Sequence, residues 1–347
     1  MKKILRRSVF FFMLFVVTNS YSVNVKVNPD KGIENLNVIS KVEGRLSTLL
    51  TEINNAQAAN RPLELNGLGI SSDARQSLEM LWVVAHFYCC DDEVTDRLWN
   101  FKKSYMVRSI PLIIVPDDAD AWANGTYQEA VVEFDLQGVI TDFRFSFSSQ
   151  LGESLEKCSG SAADAQRKLE ILAWCDRLKT AYNEHNLAFM KKIFSDQALI
   201  ITGRIVKETN REFGTTNEKV VYSKQTKKQY LINLARCFKN NKWIEVEFDE
   251  VGIGGIESNG TTKDSTNCGP VTQSGVNANF YGVRLHQKWK STNYSDEGYV
   301  FLLWNFTNED EPQIEVRTWQ PDIVNGKKIS TDEVISIGDF ERDIMNL

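Results

Sequence analysis

The chain has little of what catalytic and metal centres most often use. Three histidines serve 347 residues, each on a stretch of its own. Neither a two-histidine zinc helix nor any metal site built on histidine is therefore expected. No Ser-His-Asp or Cys-His arrangement and no phosphate-cradling glycine loop can be traced along it. The six cysteines do not fill the gap. Cys89 and Cys90 are adjacent and unsuited to bridging each other. Cys175 and Cys237 fall on the apolar sides of two predicted helices, where a buried free thiol is the plainer reading. Cys158 and Cys268 lie in polar linkers and are placed to pair in an oxidising compartment. No cysteine spacing matches a zinc or redox motif, so no metal and no cofactor is expected. Beyond the N-terminus no apolar run is long enough to span a bilayer.

What is present begins at the first residues. Lys2, Lys3, Arg6 and Arg7 precede an apolar run from Val9 to Val17, and Thr18 to Ser22 ends it with small residues at Ser20 and Ser22. This is the layout of a secretory signal peptide, residues 1–22, with cleavage expected after Ser22. The alternative is a retained anchor, but nine apolar residues rise only about 14 Å as a helix, roughly half the hydrocarbon thickness. The first cysteine is Cys89, so no lipid anchor follows the run. Export makes nucleotide cofactors poor candidates. It also changes the charge: losing four basic residues leaves 36 basic against 46 acidic ones, a net charge of −10. That argues against general binding to nucleic acid or anionic lipid.

Two segments carry the signals of folded units. In 38–148, helices are predicted over Lys41 to Asn54, from Ser72 through Trp82, and over Val94 to Trp99, with a short strand at Leu63 to Leu65. Strands follow at Tyr105 to Val115, Thr126 to Asp135 and Val139 to Phe147, the last two joined by a turn at Leu136-Gln137-Gly138. In the final strand Phe143 and Phe145 alternate with Asp142 and Arg144, the pattern of a sheet with one covered and one wet face. Residues 149–161 read as a linker.

In 162–323, Ile171, Trp174, Cys175, Leu178, Ala181 and Tyr182 repeat at helical spacing. A second helix carries Leu187, Met190 and Ile193, and strands are predicted at Ala198 to Thr202 and near Val221. A third helix starts at Thr226, which forms a capping box with Gln229. Four strands then run over Trp243 to Asp249, Val283 to Trp289, Tyr299 to Phe306 and Ile314 to Trp319. The Gly-, Ser- and Asn-rich insertion 254–279 is either a disordered surface loop or a lid over a cavity. Residues 324–347 form a polar tail with a short ordered piece around Val334 to Phe340.

The stretch "LAWCDRLKTAYNEHNLAFMKKIFSDQALIITG" (Leu172 to Gly203), with "YLINLARCF", "YSDEGYVFLLWNF" and "EVRTWQP", resembles the nuclear transport factor 2-like superfamily, including its SnoaL-like and ketosteroid-isomerase-like branches. The same strings also resemble a family of exported proteins of Gram-negative gut bacteria, a likeness that carries no activity with it. The resemblance implies an α+β, cystatin-like fold in which helices wrap a curved antiparallel sheet into a cone, with a pocket between the sheet and the first helix. It extends to 38–148 only as a divergent copy, which would make the chain a tandem. It implies no single reaction, because the superfamily spans isomerases, dehydratases, hydrolases and non-catalytic binding domains.

The pocket candidates come from alternation. In 283–290, Arg284, His286, Lys288 and Lys290 share one face, readable as an anion-binding strip or as a solvated outer face. In 314–320, Arg317 offers a bidentate donor and Trp319 a stacking wall; the alternative is a cross-strand pair of Arg317 with Glu245 or Glu247. Trp304 is a further candidate pocket aromatic. An isomerase-type site needs a base near an apolar cavity and a donor for the developing negative charge, for which Asp196, Asp296 and Tyr222 are the nominees. His185 at a helix end and His86 beside an apolar stripe have structural explanations.

The leading expectation is an exported, non-catalytic binding or interaction module of the cell envelope, periplasmic or on the surface. Its partner would be a small molecule or an envelope protein, and it would dimerise through an exposed sheet face. The alternative is a small-molecule isomerase or hydrolase, recognisable by a carboxylate converging on an apolar pocket.

Overall fold

A computed structural model describes residues 21–101, 103–115, 126–146, 162–210, 215–250, 271–330 and 333–345. The signal segment to residue 20, the linker with Cys158, Cys268 and most of the insertion lie outside the described residues.

The first half builds one sheet covered by two helices. Strand β1 (Asn24–Pro29) pairs in parallel with β3 (Glu93–Phe101). Helix α1 (Leu36–Ala58) is capped by Asn35, whose side chain accepts from the amides of Asn37 and Val38. It buries Val42, Leu46, Leu49, Leu50 and Ile53 completely. Helix α2 (Ser72–Val84) takes Ser71 as its cap, one residue before the expected Ser72. Strands β2 (His86–Cys89), β4 (Ser104–Val115), β5 (Thr126–Asp135) and β6 (Ile140–Phe145) complete a sheet of order β1-β3-β4-β5-β6, with β2 paired to β4. The helix expected over Val94 to Trp99 is strand β3. Val94 and Leu98 bury on one face while β-branched Val94 and Thr95 favour extension, and pairing with β1 and β4 decides it. Leu63 to Leu65 is not a strand. The β5–β6 turn forms as expected, with the Asp135 carboxylate accepting from the amides of Gln137 and Val139 and Gly138 at φ 78°.

The second half opens with α3 (Ala162–Asn183) and α4 (Leu187–Ile193). The long strands β7 (Phe194–Asn210) and β8 (Thr215–Thr226) pair from Leu199 to Asn210, along the whole of β8 and well beyond the short strands expected there. Helix α5 (Lys227–Asn240) follows, with the Thr226–Gln229 capping box in place. Then come β9 (Ile244–Glu250), β10 (Val271–Gln273), β11 (Phe280–Ser291), β12 (Tyr294–Asn305) and β13 (Gln313–Pro321). The sheet order is β10-β11-β12-β13-β7-β8, with β9 on β11. Every pair is antiparallel except β13 with β7. The fold class is the expected α+β, with helices laid on one face of the curved sheet.

The tail returns across the opposite face. A small hairpin, β14 (Ile323–Val324) with β15 (Lys327–Lys328), leads to a 3₁₀ turn at Ile337–Phe340 and to α6 (Glu341–Ile344). Ile337, Phe340 and Ile344 pack on Phe280, Phe301 and Leu303. The tail is thus a strap over the outer surface, ordered where the sequence pattern placed a short ordered piece.

A further expectation is overturned. The face of β6 read as wet is covered: Arg144 is 1% exposed, and its neighbour Glu133 on β5 is 8% exposed. Helix α3 covers it. Ile171, Cys175, Leu178 and Tyr182 of α3 enter the second core. From its other side Asp176, Lys179, Thr180 and Glu184, just past its end, are buried as well. Arg177 reaches Glu133 at 2.5 Å and Asp142 at 3.3 Å, Arg108 reaches Asp176 at 3.1 Å, and Lys179 donates to the Ser146 carbonyl at 3.1 Å. Arg144 pairs with Glu133 at 2.9 Å and also with Asp142. Each half also lends a tryptophan to the other, Trp243 to the first core and Trp99 to the second. Alternation marks two faces of a strand, but a charged face meeting a charged helix looks in sequence like one meeting water.

Candidate functional site

Helix α5 presents Tyr230, Leu234 and Phe238, one per turn, to the sheet, with Asn233 and Cys237 beside them. Between this helix and strands β7, β8, β11, β12 and β13 lies a cleft of about 330 Å³. The sheet contributes Thr202 and Gly203, Gln225, Gln287 and Trp289, Tyr294 and Asp296, and Arg317 and Trp319.

The floor is polar but enclosed. Arg317 is 5% exposed and donates to Gln287 Oε1 at 3.3 Å. Its guanidinium stands 5.7 Å from the ring centre of Tyr230, whose hydroxyl oxygen lies 2.6 Å from that of Tyr182 on α3. Among the described residues no carboxylate lies within ion-pair distance of Arg317. Burial disfavours its charge, yet the two tyrosines and Asp296 hold the guanidinium above its usual pKa. Burial pushes the Tyr230 phenol well up, so it acts as a neutral hydroxyl.

Asp296 faces the same space. Burial raises its carboxyl, against a hydrogen bond from the Tyr294 hydroxyl at 2.8 Å and the charge of Arg317. That bond uses Oδ2; Oδ1 is buried without a partner, as is the indole Nε1 of Trp319. The indole itself spans two strands. A β-carbon at Gly203 of β7 would stand 2.7 Å from it, and one at Gly298 of β12 would stand 3.0 Å from it. Both glycines are therefore the room Trp319 occupies. Trp289 also lines the cleft, packed edge-on against Tyr182 with ring centres 5.4 Å apart. A buried cation, a desolvated carboxylate and an indole N–H without a partner around an apolar space can bind, orient and exchange a proton with one small molecule.

The sequence candidates divide. Arg317, Trp319 and Asp296 come together here. Arg317 makes no pair with Glu245 or Glu247, which stand opposite Lys290 and Lys288 on another strand pair. Asp196 does not join them: its side chain is 91% exposed, and it pairs with Lys227 at 2.8 Å, a hydrogen bond that lowers its carboxyl. Tyr222 is exposed on β8. Trp304 is wholly buried in the second core and is not among the residues lining the cleft. His286 sits on the outer face of β11 between Glu297 at 3.5 Å and Asp322 at 3.6 Å, a setting that disfavours the anion-binding strip. His185 adopts φ 56° and stacks on Phe238 with ring centres 5.0 Å apart, and burial lowers its imidazole. His86 stacks on Trp82 at 4.3 Å.

Sequence reasoning missed Tyr182, Tyr230 and Gln287 as site residues. Gln287 did carry a signal: Val283, Leu285 and Trp289 make an apolar stripe that it alone interrupts. The tyrosines read as ordinary core residues, since nothing in a helical stripe tells which member faces a cavity.

No family profile and no curated protein matches the chain. Solved structures that align with part of it include Bdellovibrio bacteriovorus Bd1075, at 12% identity over 47% of this chain and 43% of that one, with a TM-score of 0.31. Less than half of that protein's length is therefore spanned. A nuclear transport factor 2-like superfamily protein from Salmonella enterica aligns at 12% identity over 48% of this chain and 96% of its own, TM-score 0.30. A protein of the same type from Shewanella oneidensis, described as of unknown function, aligns at 12% identity over 44% and 98%, TM-score 0.29.

Proposed function

We propose that the cleft of the second half binds a small organic anion with a planar or ring-shaped body, and that the chain does so outside the cytoplasm. The observation that carries this is Arg317: a buried guanidinium on the floor of an open cleft, with no carboxylate in ion-pair range among the described residues. A ligand carboxylate answers that charge bidentately. Trp319 and Trp289 provide flat apolar walls of the kind such ligands fill. Export is supported by the basic and apolar N-terminal segment and by the start of β1 at Asn24, directly after the expected cleavage point at Ser22.

Quenching of tryptophan fluorescence by a panel of small aromatic carboxylates tests the reading. Binding is expected, and it should fall by about tenfold or more in Arg317→Gln, the loss of one charge-assisted contact. Because Arg317 is buried, a second variant, Asn233→Trp at the exposed rim of the cleft, should block the same ligands while the protein stays folded. Equal binding by wild type and both variants would overturn the proposal.

A second reading rests on Asp296, whose carboxyl is raised by burial and keeps Oδ1 unpartnered in the cleft. A general acid or base of an isomerase needs that setting. On this reading Asp296→Asn abolishes turnover while ligands still bind; a variant that keeps its turnover would remove it.

A further inference from the structure

On the far side of β11, away from the cleft, three side chains from separate segments converge. His286 belongs to β11, Glu297 to β12, and Asp322 follows the last residue of β13. One ligand atom from each residue lies within 4.8 Å of those of the other two. Nε2 is buried, and it makes no hydrogen bond, because its two carboxylate neighbours stand at 3.5 and 3.6 Å.

Those distances are long for hydrogen bonds and close to another standard. Two ligands held tetrahedrally at 2.0–2.1 Å from zinc are separated by about 1.6 bond lengths, or roughly 3.3–3.4 Å. An octahedral magnesium site at a similar radius needs about 3.0 Å and prefers oxygen. Calcium has a suitable radius but takes oxygen ligands, and imidazole is not among them. One imidazole nitrogen with two carboxylate oxygens suits a borderline transition ion. The two carboxylates also outweigh the nearby positive charge of Lys288, which stands opposite Glu297 in register. Glu297 is the exposed member, its side chain 49% accessible, while those of His286 and Asp322 are 15% and 16% accessible. The open side therefore leaves room for a water or an outside ligand to complete the set.

We propose that His286, Glu297 and Asp322 form a binding site for a divalent transition-metal ion, zinc first, which fastens the outer strap to the sheet. The bound ion links β11, β12 and the segment that enters the β14–β15 hairpin, where the Asp322 carbonyl already accepts from the Ile329 amide at 2.9 Å. Sequence spacing does not reveal such a set, since its three ligands come from strand register and not from a short motif.

The test titrates the full mature chain, stripped with chelator, with zinc chloride by calorimetry, and with cobalt(II) by visible absorption. One zinc per chain and an intense tetrahedral cobalt spectrum are expected. Glu297→Gln, at the exposed member, should weaken zinc about tenfold or more, and His286→Ala should abolish the cobalt spectrum. Zinc should also slow proteolysis of the strap in wild type alone. Failure of wild type to bind zinc, or equal zinc affinity in wild type and both variants, would overturn the proposal. Circular dichroism of the metal-free variants confirms that they are folded.

Discussion

The hydroxyl oxygens of Tyr182 and Tyr230 lie 2.6 Å apart, joining a helix buried between the two halves to the helix that roofs the cleft. Both residues are buried. Tyr230→Phe leaves the buried Tyr182 hydroxyl without that partner. The expected cost is about 1–3 kcal/mol of folding stability, read by denaturant unfolding. Stability equal to wild type would mean that the pair contributes nothing net.

Gly298 is the tightest point of the site. A β-carbon there would stand 2.2 Å from the Gln320 carbonyl and 3.0 Å from the Trp319 ring, and a backbone oxygen held in a strand pair does not yield. Gly298→Ala is expected to lose about 1–3 kcal/mol or more and to disturb Trp319 fluorescence. Gly275→Ala, with nothing within 4 Å of the new carbon, is the control and should be near neutral.

Glu184 links the halves by accepting from the Ser77 hydroxyl, and burial raises its carboxyl from 4.5 to about 7. A folded-state value above the unfolded one means that the folded state holds the proton more tightly. This contribution is therefore full below about pH 4.5 and lost as pH rises through 7. Glu184→Gln should be close to neutral at pH 4.5. Its stability relative to wild type should climb to about 3 kcal/mol above pH 7, at about 1.4 kcal/mol per pKa unit. A difference that does not vary with pH would contradict this assignment.

Glu133 shows the opposite sign. Burial alone would raise its carboxyl, but Arg177 and Arg144 outweigh it and bring it down to about 2. Its contribution is present above pH 4.5 and drains away as pH falls towards 2. Glu133→Gln leaves Arg144, 1% exposed, short of a partner, and is expected to cost about 3–5 kcal/mol at neutral pH. The deficit should shrink on acidification, as followed by thermal unfolding across that range.

How far sequence carries depends on what each pattern encodes. Thr226 with Gln229, and the turn at Leu136-Gln137-Gly138, are local chemistry, and both formed as read. The alternation in β11 sorted Leu285 from His286 onto opposite faces correctly. In β13 alternation alone would group Ile314 with Val316, yet a register shift between them sends Ile314 to the inner core and Val316 under the strap. Asp196 and Asp296 carry the same group in sequence. One is at the surface and one in the cleft because of packing that comes from strands far apart along the chain. Long-range geometry of this kind leaves no local mark.

Among its described side chains, helix α3 has an inside on every side. Its apolar residues belong to one core, and its charged residues are matched to counterparts on a sheet built from the other half of the chain. A surface helix can drift in sequence around half its circumference, but none of the described side chains of this one is exposed. Substitutions at Asp176 or Arg177 must be answered by changes at Arg108, Glu133 or Asp142. Neither half could be lent to another protein by gene fusion without exposing a surface that was shaped as an interior. The charged contacts of α3 make the seam between the halves part of the interior.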